Sequence, residues 1–120
     1  MELDTQCDMI PTARRDGTSV FATITGEIDL HNSPELRQAM LHVLLADNTR
    51  NLHLDVAGVP YMDSSAIAVL VEGMRHIQKR KGEIVLNNVQ PRVKGLLQIA
   101  RLDNIFKINE GAGNLEPTRD

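Results

Sequence analysis

Apolar and polar positions alternate from Val20 to Thr25, and again from Asn51 to Val56. Both runs read as strands, the first strengthened by its β-branched residues. Between them the period changes. Leu36, Ala39, Met40, Val43 and Leu44 recur at helical spacing. Ahead of them, Asn32-Ser33-Pro34-Glu35 carries start signals: Ser33 as cap, Pro34 at the first helical position, Glu35 facing the positive dipole end. The spacing predicts a helix running to about Asp47. A second helix is predicted from a cap at Asp63 or Ser64 to about Arg80. Its first turns, Ala66 to Val71, are apolar on every side, which implies a nearly engulfed N-terminal half. Met74 and Ile77 continue the inner face, and Gly82 is expected to supply the C-cap after the basic Lys79-Arg80-Lys81. Glu83 to Leu86 reads as a short strand. Pro91 opens a third helix with Val93, Leu96, Leu97 and Ala100 inward, and Ile105 to Ile108 is expected as a last short strand. Upstream, Cys7 to Ala13 is expected as an edge strand, where Pro11 is tolerated, and Asp16-Gly17 as a hairpin turn.

The order is therefore β, β, α, β, α, β, α and a final β. Strands separated by helices of this length need crossover connections and pair in parallel, while the opening hairpin is antiparallel. The expected fold class is α/β, a mixed sheet of four or five strands flanked by helices. At 120 residues one domain is expected. Residues 1–17 form its N-terminal edge strand and turn, 18–108 its core, and 109–120, with two glycines and a proline, a tail expected to be disordered.

Composition narrows the function. With 42% apolar and 24% charged residues the chain has the balance of an ordinary globular protein. A net charge of −3 argues against non-specific nucleic-acid binding, which needs an excess of Lys and Arg. Only three aromatic side chains occur, Phe21, Tyr61 and Phe106, too few for base-stacking platforms. Cys7 stands alone, so no internal disulfide forms, which suits a reducing compartment. No apolar run is long enough to span a membrane, and the first residues lack the basic start and apolar core of a signal peptide. A cytosolic location is expected, with no nucleic acid and no membrane insertion.

The densest candidate chemistry is Asp63-Ser64-Ser65, between an apolar strand and an apolar helix. Asp and Ser are preferred N-caps, which is a purely structural use. Hydroxyls at a helix N-terminus also sit where added negative charge is welcome, which suits a regulatory phosphate. A hydrolase elbow would need glycines two places either side of the serine, but Met62 and Ala66 stand there. His31, His42, His53 and His76 lack metal-ligand spacing, and Gly111-Ala-Gly113 lacks the Lys of a phosphate-binding loop. The basic run Lys79-Arg80-Lys81 is explained by the helix dipole. No nucleophile–base pair or metal set emerges, so an enzyme is not expected, and neither is a cofactor.

Gly26-Glu-Ile-Asp-Leu30, Ser33-Pro-Glu-Leu-Arg37, and Leu54-Asp-Val56 leading to Tyr61-Met-Asp-Ser-Ser65 together resemble the STAS domain family. The branch they are most similar to is the bacterial anti-sigma factor antagonists. Asn88-Val-Gln-Pro-Arg-Val-Lys94 and Leu102-Asp-Asn-Ile-Phe106 are similar to that branch too. The resemblance covers residues 18–108, and its most specific element is the Asp-Ser-Ser step. It implies a mixed sheet flanked by helices, and a protein that is a substrate and switch without catalytic activity. It further implies Ser64 as phosphate acceptor, surrounded by Asp29, Asp63, Ser65 and Ala66. The implied partners are an anti-sigma factor that is also a serine kinase, which binds the unphosphorylated form, and a PP2C-type phosphatase that resets it. The family usually carries glycines where this chain has Ala66 and Ala68. These replacements favour the helix by roughly 1 kcal/mol each and add methyl groups near the kinase approach. A second reading of the same resemblance is an unphosphorylated accessory subunit of a transport ATPase of lipid-transport type; a third is the scaffold of a sensory complex.

Leu70 lies in the most apolar turn of the second predicted helix. Leu70→Asp should abolish the cooperative urea-unfolding transition, because it places an unpaired charge in the core. A retained transition near the wild-type midpoint would place that turn at the surface.

Overall fold

The structure, a computed structural model, describes residues 1–5, 7–45 and 49–110. Five strands and three helices alternate in the expected order: β1 (Thr12–Asp16), β2 (Ser19–Thr25), α1 (Ser33–Leu45), β3 (Asn51–Gly58), α2 (Ser64–Gln78), β4 (Glu83–Val89), α3 (Pro91–Ile99) and β5 (Lys107–Glu110). The sheet has the order β1-β2-β3-β4-β5. β1 and β2 are antiparallel, joined by the two-residue turn Gly17-Thr18, one residue later than the expected Asp16-Gly17, with Gly17 at φ +64°, and the remaining pairs are parallel. Each strand–helix–strand step moves one place along the sheet in the same direction. With right-handed crossovers this puts the helices on one face.

That face is the core. Val20 pairs with Leu52 and Leu52 with Ile84; Ala22 pairs with Leu54 and Leu54 with Leu86. Leu36, Met40 and Leu44 of α1 and Val69, Leu70, Met74 and Ile77 of α2 are buried against it. α1 and α2 meet at Gly73, where a Cβ would lie 2.7 Å from Met40 Sδ. They are clipped outside by Arg37, whose Nε and Nη2 donate to Glu72 at 2.6 and 2.7 Å. The opposite face is polar and aromatic. Arg14 stacks 4.4 Å from the Phe21 ring centroid, and Phe21 stacks on His53 at 4.5 Å. His53 is thus satisfied by packing across strands.

Several boundaries differ from the sequence reading, each for a local reason. Cys7 to Ile10 is not strand. Ile10 N–H bonds back to Cys7 O and Thr5 Oγ1 donates to Ile10 O, so this segment turns inward and strand begins at Thr12. The edge of the sheet is covered by Met1 to Leu3 instead, through Leu3 N–H to Ala13 O and Arg15 N–H to Met1 O. α1 starts at Ser33 rather than after it. The carbonyl of Asn32 accepts from Glu35 and Leu36, and Ser33 is buried. The expected end of this helix at Asp47 lies outside the described residues, as do residues 111–120 of the tail and Gly111-Ala-Gly113. β5 lies two residues later than expected and includes Asn109 and Glu110.

Gly82 is not the left-handed residue that ends α2. Lys81 takes that conformation, at φ 59°. Lys81 N–H bonds to Gln78 O and Gly82 N–H to Ile77 O, the paired closure of a Schellman motif. α3 closes the same way around Arg101 (φ 61°), through Arg101 to Gln98 and Leu102 to Leu97. Gly82 is required for proximity: a Cβ there would lie 1.6 Å from Arg50 O. Gly82→Ala should therefore lower stability by more than the roughly 1–3 kcal/mol of ordinary overpacking. Gly95→Ala, inside α3 with nothing within 4 Å of the new methyl, should raise it by about 0.5–1 kcal/mol. Urea midpoints of the two variants check both signs.

Candidate functional site

The parallel strands β2, β3 and β4 deliver their loops to one end of the sheet, the end where open α/β folds gather functional groups. Two of these loops are tied together. Ile28 and Met62 form a parallel bridge, with Ile28 N–H bonded to Tyr61 O and Asp63 N–H to Ile28 O. Both apolar side chains are buried, each 1% exposed, and anchor the loops from below. A third loop joins at the rim, where Arg92 lies 4.7 Å from the Tyr61 ring centroid and Gln90 Nε2 donates to Ala57 O.

Asp63 is the hinge of this arrangement. Its backbone is extended, and its Oδ1 accepts from Ser65 N–H at 2.9 Å, Ala66 N–H at 3.3 Å and the Ser65 hydroxyl at 2.5 Å. Its Oδ2 accepts from Leu30 N–H at 3.0 Å. The cap of α2 and the β2–α1 loop therefore share one carboxylate. The Ser65 hydroxyl foremost holds the Asp63 pKa below the usual carboxylate value; burial, next in size, opposes it, and the backbone N–H groups of Ala66, Ser65 and Leu30 add to the lowering.

Asp29 organises the other loop. Its carboxylate accepts from His31 N–H at 2.9 Å and Asn32 N–H at 3.2 Å, and Asn32 Oδ1 accepts from Asp29 N–H at 2.9 Å. Asn32 Nδ2 donates to Glu27 O. Gly26 enters this turn at φ +91°, a conformation that suits only glycine well.

The two serines have different situations. Ser65 is half-buried and its hydroxyl is taken by Asp63. Ser64 is the exposed first residue of α2, and among the described residues its hydroxyl makes no hydrogen bond. Ala66 is fully buried. Its methyl group therefore faces the core rather than an approaching partner, and only its N–H serves the site. Ala68, by contrast, is exposed. So the structure brings Asp29, Asp63, Ser64 and Ser65 to one rim and turns the Ala66 side chain away from it. It adds Leu30, which is 76% exposed although its N–H is fixed by Asp63. A lone leucine in a loop carries no periodic signal, but its place directly after Asp29 marks it. Among the described residues no cluster of three or more His, Cys, Asp or Glu could hold a metal, and no helix is long and apolar enough to cross a membrane.

A mixed sheet with helices on one face, and a serine-bearing helix start locked to the preceding loop, define the class of protein. The chain belongs to the STAS domain family, whose model matches residues 9–117. It is 29% identical over 106 residues to the anti-sigma-B factor antagonist of Listeria monocytogenes, covering 88% of this chain and 92% of that protein. Its fold is like that of the anti-sigma factor antagonist SpoIIAA in its unphosphorylated form, with TM-score 0.72 and 18% identity over 87% of this chain and 90% of that one. It is also like Bacillus SpoIIAA in the phosphorylated form, with TM-score 0.65 and 17% identity over 87% and 95%.

The lowered pKa of Asp63 sets a sign for acid stability. A carboxylate held below its unfolded-state pKa contributes fully above about pH 4 and loses that contribution as pH falls through the folded-state value. Asp63→Asn should be less stable than wild type at neutral pH, with the gap closing below about pH 4. Urea midpoints across pH measure this; a gap that stays constant contradicts the cap geometry.

Proposed function

We propose that this chain is an anti-sigma factor antagonist that works as a phosphorylation-controlled partner switch, with Ser64 as the phosphate acceptor. The observation that carries this reading is the unequal bonding of the two serines. Asp63 occupies the Ser65 hydroxyl and leaves that of Ser64 exposed at the start of α2. The name of the Listeria relative, and the existence of SpoIIAA structures in both phosphorylation states, support it. In this reading the unphosphorylated form binds, in the cytosol, an anti-sigma factor that is also a serine kinase. That kinase transfers phosphate to Ser64 and the complex separates. A PP2C-type phosphatase restores the first state. The chain performs no catalytic step itself.

The physical effect is local. A phosphate adds about −1.5 to −2 charges and strong acceptor oxygens. At the N-terminus of α2 the dipole stabilises it by about 0.3–1 kcal/mol. The N–H groups of Ser65 and Ala66 are already engaged by Asp63, so the new charge sits beside a fixed carboxylate and projects outward. An apposed partner must then desolvate it. A 100-fold loss of affinity requires only about 2.7 kcal/mol. Leu30, exposed on the adjoining loop, supplies apolar contact in the unphosphorylated complex.

Pull-downs from the source cells with wild type, Ser64→Ala and Ser64→Glu, read by mass spectrometry, test this. Ser64→Ala should recover a serine kinase, Ser64→Glu should lose it, and Leu30→Asp should lose it while leaving the unfolding midpoint unchanged. Recovery of a transport ATPase by all forms would overturn the switch and favour a structural serine.

A further inference from the structure

A cavity of about 310 Å³ lies between α1, the core face of β1 to β3 and the N-terminal segment that covers them. Protein interiors rarely hold voids larger than a water, and small-molecule pockets begin near 300 Å³. The space arises because short side chains line it on both the sheet and the helix, Ala13 on β1 and its partner Ala22 on β2, and Ala39 on α1, among Val, Ile, Leu and Met. Ala22 and Ala39 are half-buried, so the cavity communicates with solvent. Its walls are mostly aliphatic, and the apolar part of the chamber gives water too few hydrogen-bonding partners to fill it well.

Four polar side chains lie among the same lining residues: Asp4, Thr5, Arg15 and His42. Arg15 is held in place by donating from Nη2 to Thr49 Oγ1 at 2.8 Å and from Nη1 to Gly17 O at 3.4 Å. A guanidinium fixed in this way suits a carboxylate.

We propose that this cavity is a binding site for a medium-chain aliphatic monocarboxylate, with its chain between Ala22 and Ala39 and its carboxylate at Arg15. At about 30 Å³ per water-sized group, the space accepts on the order of ten chain atoms. The site is separate from the Ser64 rim and does not depend on the function proposed for it.

Decanoate and decanol are the probes, titrated below their aggregation limits into the full chain by calorimetry. Wild type should bind decanoate saturably at one site. Ala39→Leu, which fills the cavity, should weaken both probes at least tenfold; Ala22→Leu fills it from the other wall and serves if Ala39→Leu lacks wild-type circular dichroism. Arg15→Ala should weaken decanoate at least tenfold and leave decanol unchanged. Absence of saturable binding to wild type, or undiminished binding to a folded cavity-filled variant, overturns the site. Undiminished decanoate binding to Arg15→Ala overturns the carboxylate assignment.

Discussion

The carboxylate of Asp63 is the contact on which the site depends. One oxygen closes the N-terminus of α2 and the other holds the backbone of Leu30. The strand–helix joint and the neighbouring loop become one rigid surface. Because Asp63 takes the capping role, Ser64 is released from it. The same aspartate engages the hydroxyl of half-buried Ser65, while Ser64 is exposed. Capping falls to Asp63 and the exposed hydroxyl to Ser64, a division made by hydrogen-bond geometry on which the proposed phosphorylation of Ser64 rests.

This arrangement suits a switch that must not unfold. α2 is anchored below by Ala66, Val69 and Leu70 against the sheet, and beside it by Gly73 against α1. Its far end is closed by the Lys81 turn, and Gly82 lets the next strand start pass close to Arg50. A charge added at the near end therefore meets a helix fixed along its whole length. The change is felt at the surface, by whatever lies against the rim, rather than inside the domain.

The architecture was legible because the period of apolar positions changes from two to nearly four and back, and because helices between strands force parallel pairing. Element ends were less legible because they are set by contacts distant in sequence or by loop backbone. Asn32 rather than Ser33 precedes α1 because the Asp29 turn places it there. Lys81 takes the left-handed position in the paired closure to Gln78 and Ile77, and glycine at 82 answers to the close approach of Arg50 instead. The motif at 63–65 was visible in the sequence, but which serine is open was not, since that follows from where the Asp63 oxygens point. The inward methyl group of Ala66 follows from the rotation of α2, which an all-apolar turn conceals. The cavity was also hidden, since it needs Ala13, Ala22 and Ala39 to line one space from separate elements.

The most direct measurement is phosphosite mapping by mass spectrometry after incubation with the serine kinase recovered from the source cells. Phosphate on Ser64 alone, with Ser65 unmodified, is the predicted result. Phosphate on Ser65, or on neither serine, would contradict the division of roles made by Asp63.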